Sequence, residues 1–204
     1  MSPRPQIEHI RRPQLLAAAA QVIGERGFAA TRIADVAERA GTSPAGVLYW
    51  FESRDELLAE ALTFAEETFA EQLRARLAYL DTPSERLVSL IESSVAADDD
   101  WKLWIEIWTR ALRDPKLAES RQRLDDRWRA QIAEVVSEGQ ATGDFRGPDP
   151  DRAALELSAL MDGLAVQLAL GDRIVTAPLM RATCIEVAER LLETELVVPE
   201  EAVA

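Results

Sequence analysis

Cys184 and His9 are the only cysteine and the only histidine in 204 residues, so the chain can form neither an internal disulfide nor a Cys/His zinc set. It contains no HExxH, P-loop, GxSxG or glycine-rich dinucleotide turn, and one thiol with one imidazole supplies little nucleophilic chemistry. No catalytic residue, metal or cofactor is expected. A different chemistry is written in Thr42-Ser43-Pro44-Ala45-Gly46, followed by Tyr49 and Arg54. Small residues at the start of a helix let its backbone approach the bases of a DNA major groove, while hydroxyl and guanidinium groups at the edge hold phosphates. Arg32 and the arm residues Arg4, Arg11 and Arg12 can add phosphate or minor-groove contacts, or remain solvated surface charges. A third constellation is Trp101, Trp104 and Trp108 at i, i+3 and i+7, with Glu106 beside them. Flat aromatic faces near a carboxylate suit a pocket wall for a cation or a flat apolar ligand, and the same spacing also suits a plain aromatic core contact.

These groups need elements to hold them. Apolar residues recur at three and four along nearly the whole chain, which predicts an all-α fold of nine helices without strands. The first helix is predicted from Ile7 or His9 to Arg26, with Gly27 as its stop. A short second helix, capped by Thr31, turns Ile33, Val36, Ala37 and Ala40 inward and ends at Gly41. Ser43 caps a third, whose first residue is Pro44 and which reaches about Trp50. Three such helices with the turn Gly41-Thr42-Ser43 have the dimensions of a helix-turn-helix unit. Ser53-Arg54-Asp55-Glu56 and Thr82-Pro83-Ser84-Glu85 read as capping boxes for long fourth and fifth helices. The amides that open the fourth make an anion site. Asp100, Asp114, Asp149 and Thr176 open the remaining four, the ninth running to about Leu196, and residues 141–149 read as loop.

Charge is distributed unevenly over these elements. The chain carries 23 Lys and Arg against 36 Asp and Glu, net -13, and as a whole should repel nucleic acid and anionic membrane. Residues 1–54 nevertheless hold seven Arg against five acids, net +2, leaving -15 for the rest. A polyanionic partner should therefore meet the N-terminal quarter. No apolar run approaches the roughly 18 residues that cross a bilayer, and MSPRPQIEHIRRP lacks the apolar centre of a signal peptide. A cytoplasmic protein with no membrane partner is expected.

The run from Gly27-Phe28 and Thr31 through Ile33-Ala34-Asp35-Val36-Ala37-Glu38-Arg39-Ala40-Gly41-Thr42-Ser43-Pro44 to Leu48-Tyr49-Trp50-Phe51-Glu52-Ser53-Arg54-Asp55-Glu56-Leu57-Leu58 resembles the DNA-binding domain of the TetR family of bacterial transcriptional regulators. The resemblance implies a helix-turn-helix DNA-binding domain over 1–53 and a helical ligand-binding and dimerisation domain over 54–204. It also implies double-stranded palindromic DNA, a small-molecule effector and a second copy of the chain as partners. The implied DNA-binding set is Arg32, Thr42, Ser43, Pro44, Ala45, Gly46, Tyr49, Trp50 and Arg54. Two positions depart from the family pattern. Leu48 stands where the first of an aromatic pair is usual, and Ala34 where guanine-reading members often place Arg. The third helix has no Arg, Lys, Asn or Gln. Sequence reading must then rest on Thr42, Ser43, Tyr49, apolar contact of Ala45 or Val47 with thymine methyls, and DNA shape. The stretch from Trp101 through Trp128 is similar to the BetI-like branch, which includes choline-responsive members. That implies Trp101, Trp104, Glu106, Trp108 and Trp128 as effector-binding residues without fixing the ligand.

Leucines spaced three or four apart on the eighth helix, with Ile185, Ala188 and Leu192 on the ninth, form stripes that two subunits could pack into a four-helix bundle. The expected interface is Leu157, Leu160, Leu164, Leu168, Ile185, Ala188 and Leu192; the alternative is that both stripes face their own subunit's core. The function expected is a dimeric, ligand-responsive repressor, and the alternative is a helical protein-interaction module without specific DNA binding.

Overall fold

Helical spacing of apolar residues becomes helix throughout the described chain. The computed structural model describes residues 4–95 and 98–197, with side chains in 12–95, 101–115 and 117–197. The side chains of Arg4, His9, Arg11 and Asp100, and residues 198–204, lie outside that description. Among the described residues there are nine helices and no strand: α1 (Arg4–Arg26), α2 (Ile33–Arg39), α3 (Pro44–Leu48), α4 (Arg54–Leu77), α5 (Pro83–Val95), α6 (Asp98–Ala111), α7 (Pro115–Thr142), α8 (Pro150–Ala169) and α9 (Ala177–Leu192).

Most boundaries follow the capping chemistry of the sequence. Ser43 Oγ accepts the Gly46 amide at 3.1 Å, and Ser53 Oγ accepts the Glu56 amide at 3.1 Å. Each serine satisfies a donor that the first helical turn leaves unpaired, a gain of typically about 1 kcal/mol. Thr82 Oγ1 accepts from the Glu85 amide while the Glu85 carboxylate accepts from the Thr82 amide, which completes the box that opens α5. Asp114, Asp149 and Thr176 accept from the amides of Leu117, Arg152 and Leu179.

Thr31 behaves differently from its expected capping role. Its side chain is fully buried and donates to the Gly27 carbonyl at 2.8 Å. Arg32 takes the N-cap position of α2, and the Asp35 carboxylate accepts the Arg32 amide at 3.0 Å. Thr31 lies one residue too early, so its hydroxyl closes the turn after α1 instead. α3 stops at Leu48 with Tyr49 as its C-cap, two residues short of Trp50. α9 stops at Leu192, where Glu193 enters the left-handed region at φ 48°.

The chain divides into two compact units, one of Met1–Glu71 with Asp99–Arg121 and the other of Gln72–Asp98 with Gln122–Ala204. The first is built around α1 to α3. Ile23, Phe28, Val36, Val47 and Phe51 share one core with Leu57, Leu58 and Leu62 of α4 and with Leu103 and Ile107 of α6. Burying each of the large aliphatic or phenyl side chains contributes about 1.5–3 kcal/mol, which is what fixes a unit whose middle helices are only seven and five residues long. In the second unit α5, α8 and α9 pack on one another. Arg181 of α9 pairs with Glu92 of α5, and Arg86 with Glu138. Cys184 sits in that interior, where burial pushes its thiol up to about 11.

Candidate nucleic-acid interface

Gly41, at φ 65°, supplies the left-handed turn after α2 that a side-chain-bearing residue adopts only with strain. The chain then presents α3 from its serine cap. A Cβ on Gly46 would lie 2.6 Å from Thr42 Oγ1, so the bare glycine is what lets Thr42 close over the first turn of α3. Ser43, Pro44 and Ala45 are exposed, Thr42 and Gly46 half-buried, and Tyr49 is 69% exposed. Trp50 is half-buried and packed against the core, meeting the Tyr49 ring edge-on at 5.5 Å between centroids. Arg32 is exposed at the start of α2. The structure thus gathers most of the expected DNA-contacting residues on and beside one short helix.

Two of the expectations change. Val47 is completely buried and has no surface to offer a thymine methyl; it is the side chain that keys α3 into the core. Arg54, in place of the phosphate contact expected of it, points its donors at the protein. Its Nε donates to the Thr31 carbonyl at 2.7 Å, Nη2 to the Phe28 carbonyl and, at 3.2 Å, to that of Ala29, and Nη1 pairs with Asp55 at 2.7 Å. Its guanidinium carbon also lies 5.3 Å from the Phe28 ring centroid. Arg54 therefore ties the α1–α2 turn to the start of α4 and positions the helix-turn-helix. The opening of α4 holds a carboxylate of its own, since Glu56 folds back to the Glu52 amide, which supplies the negative charge that end favours.

Other cations of this region are also paired. Arg12 meets Glu60 at 2.6 Å, Arg26 meets Asp35 at 2.8 Å, and Arg39 meets Glu25 at 2.6 Å. The hydrogen bond that Arg39 donates to the Glu25 carboxylate raises the Arg39 pKa above its ordinary value.

α6 turns its aromatic residues inward. Trp101 is buried and stands edge-on to Trp108 at 6.0 Å, while Trp104 stands edge-on to Phe69 of α4 at 5.7 Å. The guanidinium carbon of Arg121 lies 5.8 Å from the Trp108 ring centroid. Glu106 is separate from these rings. Two residues from both Trp104 and Trp108, it is turned about 200° round the helix from each, and its Oε1 lies 3.0 Å from where a Cβ on Gly27 would be. Arg110 shares that side, its guanidinium carbon 3.1 Å from the Phe28 ring centroid. Trp128 is half-buried on α7, in the other compact unit.

The α8 and α9 stripes divide as well. Leu157, Ala188 and Leu192 are buried inside their own unit, so a helix that must pack on its own subunit spends these leucine and alanine positions there. Leu160, Leu164, Leu168 and Ile185 stay half-buried. Leu155, Ala159 and Gly163, which leucine spacing did not single out, are exposed on α8 beside them in sequence. Their signal was a second stripe at i, i+4 and i+8, formed by one leucine and two small residues.

Comparison with known proteins agrees with this geometry. Residues 15–61 match the model of bacterial regulatory proteins, tetR family, and residues 83–194 match that of the BetI-type transcriptional repressor, C-terminal. The chain is 28% identical to the HTH-type transcriptional regulator BetI of Brucella canis over 81% of this chain and 96% of that one. It is 34% identical to the HTH-type transcriptional regulator CymR of Pseudomonas putida over 66% of this chain and 70% of that one. A putative transcriptional regulator from Saccharomonospora viridis, solved in complex with choline, superposes with a TM-score of 0.82 at 33% identity, covering 91% of this chain and 98% of that one.

Proposed function

The chain belongs to the tetR family of bacterial regulatory proteins and is a helix-turn-helix transcriptional regulator, and from that premise we propose that it is a dimeric repressor released from a palindromic operator by a small cation. The observation that carries this reading is α3 itself, with Ser43, Pro44, Ala45 and Tyr49 exposed on a helix whose one buried residue, Val47, locks it to a rigid core. Arg32, Thr42, Ser43, Pro44, Ala45, Gly46, Tyr49 and Trp50 form the contact region, and Arg54 positions it. The functional boundary lies near residue 53, with effector binding and dimerisation in 54–204.

Two copies are needed because one five-residue helix makes too few contacts for useful affinity. A two-fold dimer places two such helices one or more helical turns apart on DNA, about 34–36 Å for a single turn. The half-buried Leu160, Leu164, Leu168 and Ile185, with the exposed Leu155, supply the apolar surface for the partner helices.

A cationic effector is favoured by the 33% identical relative whose structure contains choline and by indole faces that attract cations. Its seat is the aromatic side of α6, with Trp101, Trp104 and Trp108. The opposite side of the same helix faces the turn after α1, with Glu106 beside Gly27 and Arg110 over Phe28. A ligand that binds one position of α6 more tightly than another then biases the DNA-reading unit by that difference in affinity. The family is one of transcriptional regulators and not of enzymes. No helix among the described residues is long and apolar enough to cross a membrane, and the cytoplasm is the compartment where an operator is met.

Selection of bound sequences from random duplexes tests the reading. An enriched palindrome, with occupancy that falls when choline is titrated in, is the expected result. Enrichment without any response to choline overturns the effector assignment. Retention of all duplexes alike overturns sequence-specific binding and favours a protein-interaction module.

A further inference from the structure

We infer that this protein recognises the C5-methyl groups of pyrimidines in the major groove, with Leu48 as the reading side chain and Ala45 beside it. The inference rests on the DNA-binding reading above and names the chemistry by which that surface distinguishes one duplex from another.

From Ser43 to Tyr49 the sequence is SPAGVLY, with no amide, guanidinium, ammonium, imidazole or carboxylate. Bidentate recognition of guanine or adenine needs one of these groups, so α3 cannot provide it. The hydroxyls present are partly committed: Ser43 Oγ accepts the Gly46 amide, and Thr42 Oγ1 sits where a Gly46 side chain would otherwise be. Tyr49 is held edge-on against Trp50. What α3 does present outward is apolar. Pro44 and Ala45 are exposed, and Leu48 is 48% exposed although its neighbour Val47 is completely buried.

Ala45 and Leu48 stand three residues apart, and Pro44 and Leu48 four apart, so all three fall on one side of the helix. Among the four standard base pairs, only thymine offers an apolar group in the major groove. The apolar face formed by Pro44, Ala45 and Leu48 can therefore read a base edge directly only through that methyl. Leu48 also occupies the position where the family pattern places an aromatic residue, so the chain carries an aliphatic side chain there instead. The consequence is a half-site with one or two thymines at which loss of the methyl matters even when base pairing is unchanged.

The test uses the full-length protein and the palindrome enriched from random duplexes, resynthesised with uracil replacing thymine at one position at a time. Uracil removes the methyl and keeps the Watson–Crick pair. The expected result is about a three- to tenfold loss of affinity at one or two positions per half-site, the scale of one buried methyl contact. In Leu48→Ala the thymine operator should bind as weakly as the uracil one, and the uracil penalty at the most sensitive position should vanish. Leu48→Ile, which keeps an aliphatic surface, should retain a penalty. Equal binding of every uracil duplex by the wild-type protein overturns the inference while leaving the regulator reading intact. A penalty of the same size in wild type and Leu48→Ala overturns the assignment to Leu48. Failure to enrich any sequence overturns both the inference and the reading beneath it. Replacing cytosine by 5-methylcytosine at a position where thymine is preferred over cytosine should recover part of the lost affinity, which a reader of exocyclic amino or keto groups would not show.

Discussion

α3, which has no charged residue, and α6, which carries three of the chain's five tryptophans, use their apolar residues in opposite ways. α3 has five residues, hides Val47 and leaves Leu48 in solvent, with its C-cap Tyr49 beyond it. α6 has fourteen, three of them tryptophan, and every tryptophan is buried or half-buried and in contact with another ring. Single exposed apolar residues are ordinary, but Pro44, Ala45 and Leu48 stand together on one side of α3, and contiguous apolar surface is what partners cover. Aromatic residues at helical spacing can be satisfied locally, and here edge-on pairs satisfy them. The less conspicuous helix is thus the one with apolar surface left open to a large partner, while the rings of α6 close on one another and leave room for a small ligand at most.

The comparison can be broken by stability and binding measured on the same variants. Ile107→Ala, at a fully buried position of α6, should lower unfolding free energy in denaturant by about 2–5 kcal/mol; a loss below about 1 kcal/mol would show that α6 does not share the core of α1 to α4. Arg54→Ala removes the tie between the α1–α2 turn and α4 and should cost about 1–3 kcal/mol. Its operator binding should weaken equally for all sequences. A change of sequence preference instead would make Arg54 a base-reading residue.

Outside both helices, Glu85→Gln probes the box that opens α5. The Thr82 amide and hydroxyl hold the Glu85 carboxylate below its ordinary pKa. Its contribution is therefore present above the unfolded carboxylate range and lost as pH falls through the lower folded value. The thermal midpoints of wild type and Glu85→Gln should differ slightly at neutral pH and converge below about pH 4; a gap that widens on acidification would reverse the sign. Leu48→Ala should have the smallest effect on stability, within about 0.5 kcal/mol, despite the loss of operator affinity expected of it. A larger loss would place Leu48 in the fold and not on the reading surface.

Much of this architecture was legible in the sequence because its signals are local. Ser43, Ser53, Thr82, Asp149 and Thr176 each act within three or four residues, and their capping bonds form as the spacing predicts. What the pattern did not reveal depends on distant partners. Arg54 reads as a surface cation until the carbonyls of residues 28 to 31, far back in the chain, turn out to surround it. Glu106 reads as a neighbour of the tryptophans by number, yet helical rotation carries it to Gly27. Leu157, Ala188 and Leu192 belong to periodic stripes that serve either a core or an interface, and periodicity alone does not separate the two. Leu48 was visible only as a departure from a family pattern; its exposure gives the departure a meaning.

The arginine pairings have a thermodynamic consequence for how this protein would hold DNA. Residues 12–54 contain five arginines and no lysine, and four of the five, Arg12, Arg26, Arg39 and Arg54, already face a carboxylate. A guanidinium must give up its own acid before it can neutralise a phosphate. Each such exchange releases fewer condensed counterions per net contact than a free cation would, so the logarithm of affinity should fall with the logarithm of ionic strength less steeply than the roughly 0.9 per phosphate of an unpaired basic surface. Binding of this kind draws little on the entropy of released ions, gives weak attachment to arbitrary DNA, and leaves discrimination to the fit of α3 in the groove.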